Sequence, residues 1–295
     1  MPPQETDMKN HPVPSPRPGN RRLPRRRAAA WLATLSLVVL APLATPRHAC
    51  AQAGQPAEAA PKPNPVDLTP PAGGKGILIV TGDDYPGHLW RQTAPVLRGI
   101  LEQDPRLRVR IVEDPAALAS PQLRGWAVVV LHFMNWEKPG PGAAARENLR
   151  QFVAGGGGLM MTHFACGAWG SNEWPEFKHI AGRVYDPKLR PHDPYGKFRV
   201  GIAAPDHPIT RGLAAFETTD ELYTCLTGDA PIRVLAEAVS KVDQQEYPMA
   251  FVLEYGRGRV FQCVLGHNVQ AYTYAPGMGA LERRGCAWVA GLEPE

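Results

Sequence analysis

Four short apolar runs, spaced with helical segments between them, constrain this chain more than anything else in it. Gly76-Ile-Leu-Ile-Val-Thr81, Leu107-Arg-Val-Arg-Ile-Val112, Trp126-Ala-Val-Val-Val-Leu131 and Leu159-Met-Met-Thr-His163 read as strands. The first and third are continuously apolar, as strands covered on both faces must be. Leu89–Glu102 has apolar residues at helical spacing (Leu89, Val96, Leu97, Ile100, Leu101), and Ala143–Ala154 is a second helix stopped by Gly155–Gly158. Alternating strand and helix implies right-handed crossovers and a doubly wound, mostly parallel α/β sheet. Beyond residue 196 the pattern changes: Phe198–Ile202, Leu222–Leu226, Arg233–Ala238, Ala250–Tyr255 and Arg259–Leu265 read as strands with no helix between them. Gly256-Arg-Gly258 fits a hairpin turn and Gly279–Ala290 a last helix, so antiparallel strands should extend the sheet.

The 295 residues carry a formal charge of +4, which would invite a nucleic-acid reading if it were spread over the fold. It is not. Residues 1–53 hold eight basic side chains against Glu5 and Asp7, leaving 24 basic and 26 acidic residues after them. The folded part is therefore slightly acidic, and nothing in it asks for nucleic acid or an anionic membrane. The Arg21–Arg27 cluster, the uncharged Ala28–Ala41 and the small residues around Ala51 and Ala53 have the layout of a secretory signal. Residues 1–53 are expected to be a signal peptide cleaved near Ala51 or Ala53, and the protein to be periplasmic or extracellular, with no membrane contact beyond that segment. An uncleaved anchor, and a lipoprotein through Cys50, are the alternatives. Residues 54–74, with Pro56, Pro61, Pro63, Pro65, Pro70 and Pro71, read as a linker, and 75–295 as one domain. No CxxC or CxxH spacing suggests a structural zinc site, and the pairing state of Cys166, Cys225, Cys263 and Cys286 is left open.

In an open α/β sheet, ligands collect beyond the carboxyl ends of the parallel strands. Three such ends deliver polar residues here: Asp84, Tyr85, His88 and Trp90 after the first strand; His132, Asn135 and Trp136 after the third; His163, Cys166 and Trp169 after the fourth. Later segments add Glu176, His192, Asp220, Glu221, Tyr223 and His267. Singly, each histidine is commonly a hydrogen-bonded loop residue, His207 before Pro208 can simply open a turn, and Asp220-Glu221 can be a solvated loop. Their convergence on one rim favours a site. Aromatic walls beside carboxylates and imidazoles suit a sugar, giving Asp84, Tyr85, His88, Trp90, Asn135, Trp136, Cys166, Trp169, Glu176, Asp220 and Tyr223 as substrate-binding candidates. His163, Glu221 and His267 are the acid–base candidates. His88, His163, His192, Glu221 and His267 can all ligate a metal, with the four histidines taken as the metal set, so a divalent ion is a candidate cofactor. Cys166 before Gly167 raises a nucleophilic-cysteine alternative, although the turn directly after the strand belongs to His163 or Phe164.

Taken in order, Thr81-Gly-Asp-Asp-Tyr-Pro-Gly-His88-Leu-Trp90, His163-Phe-Ala-Cys-Gly167, Trp174-Pro-Glu-Phe177, His192-Asp-Pro194, His207-Pro-Ile-Thr210, Asp220-Glu-Leu-Tyr223, Pro248-Met-Ala-Phe251, Gly256-Arg-Gly-Arg259 and Leu265-Gly-His267 resemble the ThuA-like (trehalose utilisation) family over about residues 75–292. The resemblance implies a class I glutamine amidotransferase-like fold with a flavodoxin-like sheet, and a link to sugar catabolism through 3-keto derivatives. Amidotransferases carry a nucleophilic cysteine where this chain has Met161-Thr162-His163-Phe164, which argues against glutaminase chemistry. The expected function is an exported enzyme acting on a sugar or 3-keto-sugar by His/Glu acid–base chemistry, with metal assistance open. A small-molecule carbohydrate is the expected partner, and self-association into a homo-oligomer is left open. The rival readings are a non-catalytic carbohydrate-binding protein and a Cys166-dependent hydrolase.

Overall fold

The computed structural model describes residues 67–295. The signal-like segment 1–53 and most of the expected linker lie outside the described residues. The rest of that linker runs along the domain: Leu68 is fully buried, its N–H donates to Gln122 Oε1 at 2.8 Å, and its carbonyl accepts from Trp126 Nε1 at 2.9 Å.

The elements are β1 (Lys75–Val80), α1 (Trp90–Leu101), β2 (Leu107–Val112), β3 (Val128–Leu131), α2 (Ala143–Ala154), β4 (Gly158–Thr162), α3 (Gly170–Glu173), α4 (Phe177–Ala181), β5 (Val184–Tyr185), β6 (Gly196–Ile202), β7 (Phe216–Asp220), β8 (Leu226–Thr227), β9 (Arg233–Val239), β10 (Glu246–Tyr255), β11 (Gly258–Cys263), α5 (Val269–Tyr274) and α6 (Pro276–Val289). Nine strands form one sheet in the order β2-β1-β3-β4-β11-β10-β9-β6-β7. The first five are mutually parallel. Numbered among themselves they run 2-1-3-4-5, the flavodoxin-like order. The remaining four continue the sheet antiparallel, so the expected α/β class and its antiparallel extension are both present. Among the described residues no helix is long and apolar enough to cross a membrane.

The continuous apolar runs follow from this layering. Ile77 and Ile79 face α1, α5 and α6, whereas Leu78 and Val80 face α2 and α4 on the other side. A strand covered on both faces cannot show polar alternation. At the hairpin between β10 and β11, Gly256 takes φ +61°, and a Cβ there would meet the Ala154 backbone at 2.7 Å. Glycine meets both demands at once.

One expected strand is displaced. The sheet strand is Phe216–Asp220, and Leu222–Leu226 instead crosses the top of the domain. Its backbone groups pair with the preceding loop: Asp193 N–H donates to the Leu222 carbonyl at 3.0 Å and Thr224 N–H to the Pro191 carbonyl at 3.1 Å. Apolar content marked the segment as buried, but its ladder partners lie outside the sheet. The last helix starts three residues earlier than expected, with Pro276 in its first turn.

Candidate functional site

Four of the five parallel strand ends, all but that of β2, place one histidine each by their own local means. After β1, His88 stands just ahead of α1, and its Nδ1 lies 3.2 Å from Asp84 Oδ1. After β3, His132 is fully buried between Thr81 Oγ1 (3.0 Å from Nδ1) and Thr93 Oγ1 (3.2 Å from Nε2). After β4, His163 occupies the strand-to-helix elbow with φ +41°, opening the 3-10 turn His163–Gly167. A non-glycine residue in that region is strained, and such strain concentrates at functional turns. After β11, Gly266 at φ +118° turns the chain so that His267 faces inward.

The antiparallel half contributes the acid. Asp220 ends β7 with no exposure, and its carboxylate accepts the backbone N–H groups of Glu221 (2.9 Å), Gly266 (2.7 Å) and His267 (3.1 Å). Glu221, next in sequence, points into the histidines. Its Oε2 is 3.2 Å from His267 Nδ1, 3.5 Å from His163 Nε2 and 3.9 Å from His88 Nε2. Its Oε1 is 3.5 Å from His192 Nε2. One donor atom from each of His88, His163, Glu221 and His267 lies within 4.8 Å of the other three.

The electrostatics follow from this crowding. Burial alone would raise the Glu221 carboxyl, but His163, His267 and His88 hold it far below the ordinary carboxylate range. Burial also opposes charge on His88, yet Asp84 and Glu221 outweigh it and lift the imidazole to about 9. For His163 burial wins and the pKa falls. Its Nδ1 is 2.9 Å from the Val264 carbonyl, which can only accept, so the proton sits on Nδ1 and the Nε2 lone pair faces the cluster.

These features fit a divalent cation. A tetrahedral ion with bonds of about 2.0–2.1 Å needs donors roughly 3.3 Å apart, close to the 3.2 and 3.5 Å spacings around Glu221. His88 and His163 are each oriented through the far ring nitrogen, by Asp84 and by the Val264 carbonyl, as metal-bound imidazoles are. His267 Nδ1 is buried and has no aligned hydrogen-bond partner.

A cavity of about 230 Å³ opens onto the cluster, lined by Tyr85, His88, Met134, Trp136, Phe164, Cys166, Gly167, Tyr185, Pro191, His192, Glu221 and Tyr223. Tyr85 and Trp136 meet edge to face at its mouth, 4.9 Å between ring centroids, and both are partly exposed. Tyr223 OH lies 3.3 Å from His163 Nε2.

Of the expected substrate-binding residues, Tyr85, His88, Trp136, Cys166 and Tyr223 line this cavity, and Asp84 and Asp220 stand directly behind it. The others sit elsewhere. Trp169 is fully buried among Phe133, Trp174 and Phe177, with its Nε1 donating to the Pro141 carbonyl. Trp90 begins α1 beneath the Arg91 guanidinium. Glu176 accepts from Tyr255 OH at 2.6 Å. The Asn135 amide is engaged by Trp169 N–H, the Lys138 carbonyl and Glu173. Of the four histidines expected as metal ligands, His88, His163 and His267 converge with Glu221, while His192 approaches Glu221 from the opposite oxygen.

Sequence reasoning did not anticipate Phe164, which stacks on His88 at 4.8 Å, nor Met134, Tyr185 and Pro191 in the wall. The Val264 carbonyl was invisible because a backbone acceptor has no residue-type signal. Cys166 is 1% exposed, and burial, reinforced by Cys225, pushes its thiol well above the ordinary range. All four cysteines of the described residues are free and buried. A separate, open cavity of about 620 Å³ lies at the opposite, amino ends of the strands. There Arg257 and Arg259 donate to carbonyls ending α2 and α6.

The family model described as ThuA, trehalose utilisation, matches residues 76–289. A ThuA-like protein of Parabacteroides merdae ATCC 43184 superposes with a TM-score of 0.64 at 24% identity, covering 74% of this chain and 91% of that one. Another, of Bacteroides uniformis ATCC 8492, gives 0.58 at 18% identity, covering 77% of this chain and 95% of that one. No curated protein sequence matches the chain.

Proposed function

Because the chain belongs to the ThuA (trehalose utilisation) family, we propose that it is a metal-assisted enzyme of carbohydrate breakdown acting on a sugar or 3-keto-sugar. The observation that carries this reading is the buried His88, His163, Glu221 and His267 cluster at the floor of an aromatic-mouthed cavity. His88, His163 and His267 offer nitrogen lone pairs and Glu221 an oxygen, a donor set that suits zinc or another divalent first-row ion. When bound, the ion would act as a Lewis acid towards a substrate carbonyl or hydroxyl oxygen.

The protein's own groups do the rest. Tyr85 and Trp136 present ring faces and edges at the mouth, where the apolar face of a pyranose can pack. Phe164 and Cys166 exclude water from the inner wall. His192 is the proton carrier. It is partly exposed to the cavity and stands outside the ligand cluster. Its Nδ1 donates to the Asp193 carbonyl at 2.6 Å, so Nε2 carries the lone pair that can take a proton from a carbon alpha to a carbonyl and, once protonated, give it to a departing glycosidic oxygen. In this reading His88, His163, Glu221 and His267 hold the ion. The signal-like residues 1–53 support export, so the substrate is an extracytoplasmic carbohydrate.

Elemental analysis of the purified protein, together with a turnover screen of 3-keto-glycosides, tests the reading. The expected result is about one divalent ion per chain, lost in His163→Ala and Glu221→Gln along with turnover. Metal-free protein that turns over as fast in those variants as in the parent would overturn it. Sugar binding by calorimetry without any product would favour a carbohydrate-binding protein instead.

A further inference from the structure

Beneath the site, between the sheet and α5 and α6, lies a second group of polar side chains that the proposed chemistry does not use. Glu282 on α6 is fully buried, and neither carboxyl oxygen has a protein partner. Thr162 Oγ1 and Tyr272 OH are likewise buried without aligned partners. The three belong to one neighbourhood. Tyr272 stands beside Thr162, whose register partner on β11 is Cys263, and Glu282 adjoins the Cys263 thiol. No lysine, arginine or histidine pairs with Glu282 among the described residues. The other titratable groups facing it are Cys263 on β11, Tyr272 on α5, Cys286 on α6 and Asp220 at the end of β7. With no cation at hand, a buried carboxyl is held in its acid form, and burial indeed pushes Glu282 well above the ordinary range.

We infer that Thr162, Tyr272 and Glu282 enclose an internal water site that braces the two chain turns delivering His163 and His267. The inventory of donors and acceptors matches. Two hydroxyls and one carboxylic acid supply three O–H donors and at least as many acceptors, and a buried water needs two to four such partners. The position gives the site its consequence. Thr162 is the last residue of β4 and immediately precedes His163. Tyr272 OH packs against Gly266, where a Cβ would fall 2.5 Å from it, and Gly266 immediately precedes His267. Gly266 N–H also holds Asp220, the neighbour of Glu221. Glu282 is thus a positioning residue acting through these turns. Its effect on metal affinity rests on the ion-binding reading above, whereas the water site itself does not.

The test pairs crystallography of the full chain with Zn²⁺ titration of the parent, Glu282→Gln and Glu282→Leu. The parent is expected to show an ordered water bonded to Thr162 Oγ1, Tyr272 OH and Glu282, retained in the Gln variant and lost in the Leu variant. Zn²⁺ affinity should fall about tenfold in Glu282→Leu, the size of effect outer-shell partners have on bound metals, and hold in Glu282→Gln. An empty or apolar-filled space in the parent overturns the inference, as does Zn²⁺ bound with equal affinity by all three proteins. A parent that binds no Zn²⁺ yet shows the water defeats the ion-binding reading and leaves the water site standing.

Discussion

His132 makes stability depend on acidity in a way that one substitution can isolate. The imidazole has no solvent exposure and bridges Thr81 at the end of β1 to Thr93 on α1. Burial, then the nearby His163, drives its pKa down from 6.5 to about 3. A histidine whose folded pKa lies below its unfolded value contributes stability that is complete above the unfolded pKa. It loses that contribution as pH falls towards the folded one. Between about pH 7 and about pH 4.5 the unfolded chain binds nearly one proton here and the folded chain almost none, which costs about 2.5 kcal/mol. His132→Gln keeps a donor and an acceptor but cannot titrate. It should be less stable than the parent at neutral pH by about 1–3 kcal/mol, since one threonine hydroxyl loses its partner. Its further loss on acidification should be smaller than the parent's by about 2.5 kcal/mol. Urea unfolding followed by tryptophan fluorescence at the two pH values measures both differences. Parallel losses in the two proteins would show that His132 is not held neutral, and the reasoning from its burial would fail.

Two further outcomes follow from the site. Because His88 in the metal-free protein titrates at about 9, Zn²⁺ at neutral pH must displace its proton. Apparent affinity should then rise about tenfold per pH unit up to about pH 9. Calorimetry in buffers of different ionisation heat should report close to one proton released, and none released would remove His88 from the ligand set. Cys166→Ser should leave turnover within about threefold of the parent, the scale of a small packing change in a cavity wall, because its thiol is buried and held neutral. Loss of all activity on that substitution would reinstate the cysteine as nucleophile.

The parallel half of the fold was readable because its physics is local. Ile77–Val80 and Val128–Leu131 are buried on both faces, and that condition writes itself into a continuous apolar run. The histidines at the strand ends were readable for the same reason, since strand direction alone decides which end carries a ligand. Segment 222–226 was not. Its apolar residues are as buried as those of a strand, but it pairs with 191–193 outside the sheet, and hydrophobicity does not encode the partner. Trp169 and Trp90 show the converse limit. An aromatic after a strand can face the cavity, as Trp136 does, or the core beneath it. That choice depends on backbone turns such as Trp169 at φ +59°, which composition does not reveal.

Asp220 and Glu221 show how adjacent residues of one chemical type come to different ends. The sequence of this pair also suits a solvated loop, and burial excludes it: Asp220 has no exposure and the Glu221 side chain is 12% exposed. Two adjacent buried carboxylates would repel and desolvate each other unless each found separate compensation. Asp220 finds it in three backbone N–H groups, which tie the end of β7 to the turn after β11. Glu221 finds it in imidazoles from four other segments. The first acid therefore locks His267 into place through its own backbone, and the second meets the side chain so placed. The carboxyl end of the parallel sheet supplies three histidines with no acid among the cluster's donors. The antiparallel half then closes the site by bringing one carboxylate back across it, held by a second that never faces the cavity.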